Sequence, residues 1–109
     1  MIDTATIEWP GQSGKKYLHY IHLIGTDFRP IGGNYIFSKL NAQGQWVAVY
    51  IGQTNDLNAR FADHHADPCI KRNGATHVHV HGNDNQQSRL NEESDLLSKF
   101  NTYCNIAQN

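Results

Sequence analysis

Asn34-Tyr-Ile-Phe-Ser38, then Asn41-Ala-Gln-Gly44, then Trp46-Val-Ala-Val-Tyr-Ile-Gly-Gln53 decide how this chain folds. Two runs rich in β-branched and aromatic residues flank four residues with turn chemistry, which predicts an antiparallel hairpin. With the turn centred between Ala42 and Gln43, Tyr35 falls opposite Tyr50, and the two form a cross-strand pair on one face. A stacked aromatic pair in the core is one reading of that pair. Gly33 ahead of Tyr35 and Gly52 behind Tyr50 favour another, in which something approaches the backbone closely on that face.

Working outward, Tyr17 to Ile24 alternates and reads as a strand, and Gly25 to Gly33, with Pro30 and three glycines, as a loop. Downstream, any of Thr54, Asn55 and Asp56 can cap a helix over Leu57 to His65. Asp67-Pro68 starts a second short helix ending at Asn73-Gly74. Ala75 to Gly82 alternates strictly and reads as a strand, and Gln86 to Asn101 is the longest helix. The expected fold class is α+β: a small antiparallel or mixed sheet of about three to four strands flanked by helices. The whole chain, 1–109, reads as one domain, with an N-terminal strand extension over 1–32.

Composition narrows the function classes. The 109 residues are 39% hydrophobic, enough for one modest core. No apolar run approaches bilayer length, and the first ten residues lack the basic and apolar regions of a signal peptide. A cytoplasmic protein is the expectation, with Cys69 and Cys104 as two free thiols. The formal net charge is −1, from nine basic and ten acidic side chains. Nucleic-acid affinity comes largely from neutralising phosphates, so this domain alone should bind such a partner weakly. A protein partner, a homodimer or a metal ion would have to supply the missing positive field.

Three residues carry candidate chemistry on the helices. Arg60 and His64, spaced i,i+4, share a face with Leu57 and Phe61. An inward arginine needs an anion, either a phosphate held in its bidentate fork or a structural salt bridge. On the last helix, Leu90, Leu96, Leu97, Phe100 and Cys104 form an apolar stripe with Glu93 at its centre and Glu92 at its edge. A carboxylate in mid-stripe calls for a metal such as Mg²⁺, or for an ion pair with Arg60 or Arg89. His77, His79 and His81 alternate along one strand, the outer two ~13 Å apart and too far to share one zinc. They are expected to face solvent while Val78 and Val80 face the core.

Taken together, these pieces resemble the GIY-YIG nuclease family. Gly33-Asn34-Tyr35 resembles its first motif, with Asn34 in place of an apolar residue, and Tyr50-Ile51-Gly52 matches its second. The spacing from Tyr50 to Arg60 is the family's, and His64 matches a histidine found one helical turn later. Glu93 through Asn105 resembles the closing motif, with Thr102 where proline is usual. The resemblance covers 33–105, and the segment Trp9-Pro-Gly-Gln-Ser-Gly14 ahead of it looks like that of compact stand-alone bacterial or phage members.

The resemblance implies a metal-dependent endonuclease acting on nucleic acid, with DNA the expected substrate. Its catalytic residues would be Tyr35 as general base, Tyr50 orienting water or substrate, Arg60 balancing phosphoryl charge, His64 shuttling a proton, and Glu93. Glu93 would hold one Mg²⁺ or Mn²⁺. Gly52 and Asn105 would serve substrate binding, Asn105 either touching phosphate or fixing a strand end. The alternative is a scaffold of this family acting as a nucleic-acid-binding or protein-interaction module. No membrane partner is expected.

Overall fold

The computed structural model describes residues 5–62 and 67–107, with no side-chain detail for 106 and 107. Five strands and four helices are present among them: β1 (Thr6–Pro10), β2 (Lys16–Leu23), β3 (Gly33–Leu40), β4 (Trp46–Thr54), α1 (Leu57–Ala62), α2 (Pro68–Arg72), β5 (His77–Gly82), α3 (Gln86–Lys99) and α4 (Tyr103–Ala107). The strands form one sheet in the order β1-β2-β5-β3-β4, and every pairing is antiparallel. The α+β class expected from the sequence is present. The sheet has five strands rather than three or four, because Thr6–Pro10 pairs with β2 as an extra edge strand.

The β3–β4 hairpin forms where turn chemistry placed it. Gly44 takes φ +77, and the Asn41 carboxamide accepts from the backbone N–H of Gln43 and Gln45. Its register differs from the expected one. The loop spans Asn41 to Gln45, so Leu40 pairs with Trp46. A bulge between Phe37 and Ser38 then shifts the pairing by one more residue. Tyr35 therefore stands opposite Gly52, and Phe37 opposite Tyr50. The bulge turns both Val49 and Tyr50 toward the cluster that holds Tyr35 and Phe37.

Helices cover both faces of the sheet. On one, Tyr35, Phe37, Val49, Val78 and Val80 pack with Leu57, Ile70 and the two cysteines. On the other, α3 lays Leu96 against Trp9, Ile36 and Ile51. Helix starts follow the expected capping: the Asp56 carboxylate accepts from Ala59 N–H at 3.0 Å, and Asp67 caps α2 ahead of Pro68. The α2 C-terminus is followed by Gly74 at φ +76. The Asp95 carboxylate on α3 accepts from Ser13 N–H (2.9 Å), Ser13 Oγ (2.7 Å) and the Tyr17 hydroxyl (2.8 Å). That ties the N-terminal hairpin to the long helix. No helix among the described residues is long and apolar enough to cross a membrane.

Three expectations are corrected. Cys69 and Cys104 are not free thiols but form a disulfide, with Cα atoms 5.7 Å apart, which joins α2 to α4. Disulfides persist in oxidising surroundings, so the pairing removes one premise of the cytoplasmic expectation. The strand histidines do not line up in solvent: His79 is fully buried, packed between the Trp9 and Trp46 rings and bonded to Ser38. The apolar stripe of α3 is also rotated. Its buried residues are Arg89, Glu92 and Leu96, while Leu90 and Leu97 are more than a third exposed. The helix ends at Phe100, so Cys104 lies on a separate helix and never shared that stripe.

Candidate active site

Tyr35 is central. It sits on β3 between β5 and β4, 2% exposed, and its ring lies over Gly52 on the edge strand. A Cβ built at Gly52 would stand 2.6 Å from both Cζ and the hydroxyl oxygen of Tyr35, so only glycine leaves room for the ring. The close approach that the flanking glycines implied is thus, at Gly52, the approach of Tyr35 itself. Tyr50 stacks beside it, ring centroids 6.2 Å apart at 23°. Although the register differs from the expected pair, both tyrosines project from one face.

Arg60, on α1, reaches the same point. Its Nε donates to the Tyr35 hydroxyl at 2.8 Å, and its guanidinium carbon lies 5.3 Å from the ring centroid. Burial pushes the Tyr35 hydroxyl up to about 12, the neighbouring Arg60 charge pulling the other way. Tyr50 and Glu93 raise it further. The phenol is therefore neutral at pH 7, and an oxygen that accepts one bond from Arg60 still has its own proton and a second lone pair.

Glu93 sits on α3, which covers the opposite face of the sheet. Because β4 is the edge strand, its carboxylate is close enough for the charge to be felt at the Tyr35 hydroxyl. Glu93 is half-buried, and burial raises its pKa above the ordinary carboxylate value. Among the described residues it makes no ion pair with Arg60 or Arg89, the two partners a purely structural role would need. A carboxylate with neither cation nor full hydration suits a hard divalent ion that keeps most of its waters. No group of three or more His, Cys, Asp and Glu side chains that fits a metal is present among the described residues. Glu93 would have to act as a single protein ligand.

Asn105 does not point at this centre. Its Oδ1 accepts from Ile51 N–H and its Nδ2 donates to Ile51 C=O, both at 2.8 Å, and Thr102 Oγ1 also donates to Oδ1. Of its two expected roles, the geometry matches fixing a strand. Gly33 is packed against Leu57 and the His81 carbonyl. His64 lies outside the described residues. The structure thus gathers Tyr35, Tyr50, Gly52 and Arg60, with Glu93 on the helix over the other face and Asn105 one step behind.

Sequence reasoning missed a second polar group, under α3. His81 Nδ1 donates to Glu92 Oε1 at 2.8 Å, and His19 Nε2 lies 3.6 Å from Glu92 Oε2. His19 Nδ1 donates to the Tyr17 carbonyl, which fixes the tautomer and turns an Nε2 lone pair toward Glu92. Trp9 Nε1 donates to His79 Nδ1, so His79 Nε2 carries the proton and donates to Ser38 Oγ at 2.8 Å. Burial pulls His19 down to about 4 and His79 to about 3, whereas the Glu92 hydrogen bond raises His81. The alternation of His77, His79 and His81 was the available signal; it marked a strand covered on both faces.

Comparison with protein-family models, with curated proteins and with solved structures finds no significant match to this chain.

Proposed function

We propose that the protein is a phosphodiesterase that cuts nucleic acid, with DNA as the substrate, with the help of one divalent cation. Within that class, the motif order and the grouping of Tyr35, Tyr50, Arg60 and Glu93 support a GIY-YIG endonuclease. The observation that carries the reading is the hydrogen bond between two chain-distant groups, Arg60 and Tyr35, with an unpaired carboxylate near them. The Arg60 guanidinium bonds the Tyr35 hydroxyl, and the Glu93 carboxylate, free of any salt bridge among the described residues, stands within electrostatic reach.

Each residue then has a task. Glu93 would hold Mg²⁺ or Mn²⁺, which when bound polarises the scissile phosphate and stabilises charge on the leaving oxygen. Arg60 keeps donors beyond the one given to Tyr35, and these would bind phosphoryl oxygens as negative charge grows. Tyr35 would hold the attacking water and take its proton. At about 12 the phenol is reluctant to ionise, so the Arg60 charge and that of a cation held by Glu93 would have to work against its burial. Tyr50, stacked beside it and partly exposed, would orient water or substrate. Gly52 lets the Tyr35 ring reach the sheet edge where substrate would lie.

A second reading, in which the domain binds nucleic acid or protein without cutting, draws on the net charge of −1. Incubation of supercoiled plasmid and branched DNA with Mg²⁺ or Mn²⁺, beside Glu93→Ala, separates the two. Nicking by the wild type and none by the variant supports the nuclease. Equal cutting by both removes Glu93 from the site, and no cutting by either favours the binding module.

A further inference from the structure

Arg89 is a buried charge without a counter-ion among the described residues. It is 4% exposed on α3. Its Nε donates to Gln53 Oε1 at 3.0 Å and its Nη1 to the Asn83 carbonyl at 2.9 Å, both neutral acceptors. Among the described residues no carboxylate oxygen lies within 4.0 Å of it. Glu92 and Glu93, one turn further on, and Asp84, in the turn before the helix, are its acidic neighbours in sequence, and none of the three pairs with it. Gly32 packs so closely that a Cβ there would collide with Nη1, so the guanidinium is held in place. A guanidinium stays protonated, and burying it without an anion is costly.

Arg89 also lines an open pocket of about 340 Å³ with Gln53, Thr54, Asn55 and Gln86. Every other lining side chain is an uncharged amide or hydroxyl able to donate a hydrogen bond. The pocket lies at the N-terminal end of the 14-residue α3, where the helix adds partial positive charge to that of Arg89. Gln53 directly follows Gly52, over which Tyr35 lies, and Arg89 precedes Glu93 by one turn. Along the chain the pocket is thus one residue from Gly52 and one helical turn from Glu93.

We propose that Arg89 and this pocket bind a phosphate group, namely a backbone phosphate of the nucleic acid next to the one being cut. The anion site stands on Arg89 alone, while the source of its phosphate rests on the nuclease reading. A fixed second phosphate would hold the strand in register at the cleavage point, giving a near-neutral domain the specific grip that its net charge denies it.

The test places a carboxylate in the pocket. Gln86 is exposed and one turn from Arg89, so Gln86→Glu supplies the missing anion without disturbing the core. Gln87→Glu adds the same charge to the same helical turn outside the pocket lining and serves as the control. Both are made in Glu93→Ala protein, so that a short oligonucleotide can be titrated without cleavage. Orthophosphate should raise the Tm of the parent and of Gln87→Glu, and leave that of Gln86→Glu unchanged. Oligonucleotide affinity should fall about tenfold in Gln86→Glu relative to Gln87→Glu, with the salt slope smaller by about one. Equal phosphate response in the two variants, or none in the parent, overturns the site. A phosphate response lost in Gln86→Glu at unchanged oligonucleotide affinity overturns the backbone assignment and leaves a site for free phosphate. Since each readout is binding, failure of the protein to cut DNA would not affect the result.

Discussion

Gly52→Ala tests the centre of the site with a single methyl group. The new Cβ would lie 2.6 Å from Cζ and the hydroxyl oxygen of Tyr35 and 2.9 Å from Cε2. Carbon contacts are comfortable near ~3.5 Å, so the ring has to retreat by roughly 1 Å. Its hydroxyl now accepts from Arg60 Nε at 2.8 Å. A retreat of that size along the bond would stretch it beyond hydrogen-bonding range. Overpacking of this kind costs about 1–3 kcal/mol of stability. A catalytic group displaced by ~1 Å costs about 100-fold in rate. Urea unfolding gives the first quantity and metal-dependent plasmid nicking the second. Repeating the substitution in Tyr35→Leu, whose shorter side chain leaves the space over Gly52 empty, should remove most of the stability penalty. Wild-type stability and rate in Gly52→Ala would refute the placement of Tyr35 over the edge strand, and with it the geometry of the site.

Three further outcomes follow from the same structure. Arg60→Ala should slow cleavage by at least ~100-fold while the protein stays folded, since Arg60 is part-exposed; normal nicking would exclude it from the site. His79, folded at about 3 against an unfolded value near 6.5, is buried neutral, so its contribution to stability is complete above pH ~6.5 and is lost as pH falls toward 3. His19 acts in the same direction, down to about 4, so unfolding free energy should drop by up to ~1.4 kcal/mol per pH unit for each, and a flat profile between pH 6.5 and 4 would contradict their burial. Reducing the Cys69–Cys104 bond, which closes a separation of 35 residues, should lower stability by about 2–4 kcal/mol, read as a shift in urea midpoint with and without reductant.

Much of this was legible in the sequence because it depended on local chemistry. The Asn41–Gly44 turn, the Asp56 and Asp67 caps and the alternation of β5 were each written in a few adjacent residues. The pairing of Tyr35 was not, because a five-residue loop and the bulge at Val49 each add one residue between the strands. The inward face of α3 was misjudged for a related reason. Leucines mark the core side of a helix only when the surface opposite is apolar, and here α3 meets His19 and His81, which draw Glu92 inward and leave Glu93 at the margin. Arg60 stood out because a charge among hydrophobic neighbours is conspicuous in any register, whereas Glu93 was singled out from a stripe whose buried carboxylate is Glu92. Arg89 escaped notice because its burial depends on Gly32 and Asn83, neither of which is near it in a helical projection.

The Asn105 side chain has a consequence for how the protein behaves in concentrated solution. β4 is an outer strand, and an outer strand presents unpaired N–H and C=O groups that can recruit a strand from another molecule. At Ile51 both groups are already engaged by one carboxamide, which donates and accepts as a neighbouring strand would. The opposite border of the sheet is short and ends in Pro10, which has no N–H to offer. Asn105 thus acts as a one-residue substitute for a sixth strand, and replacing it with alanine would open the β4 border to self-association at the point where the Tyr35 ring crosses it.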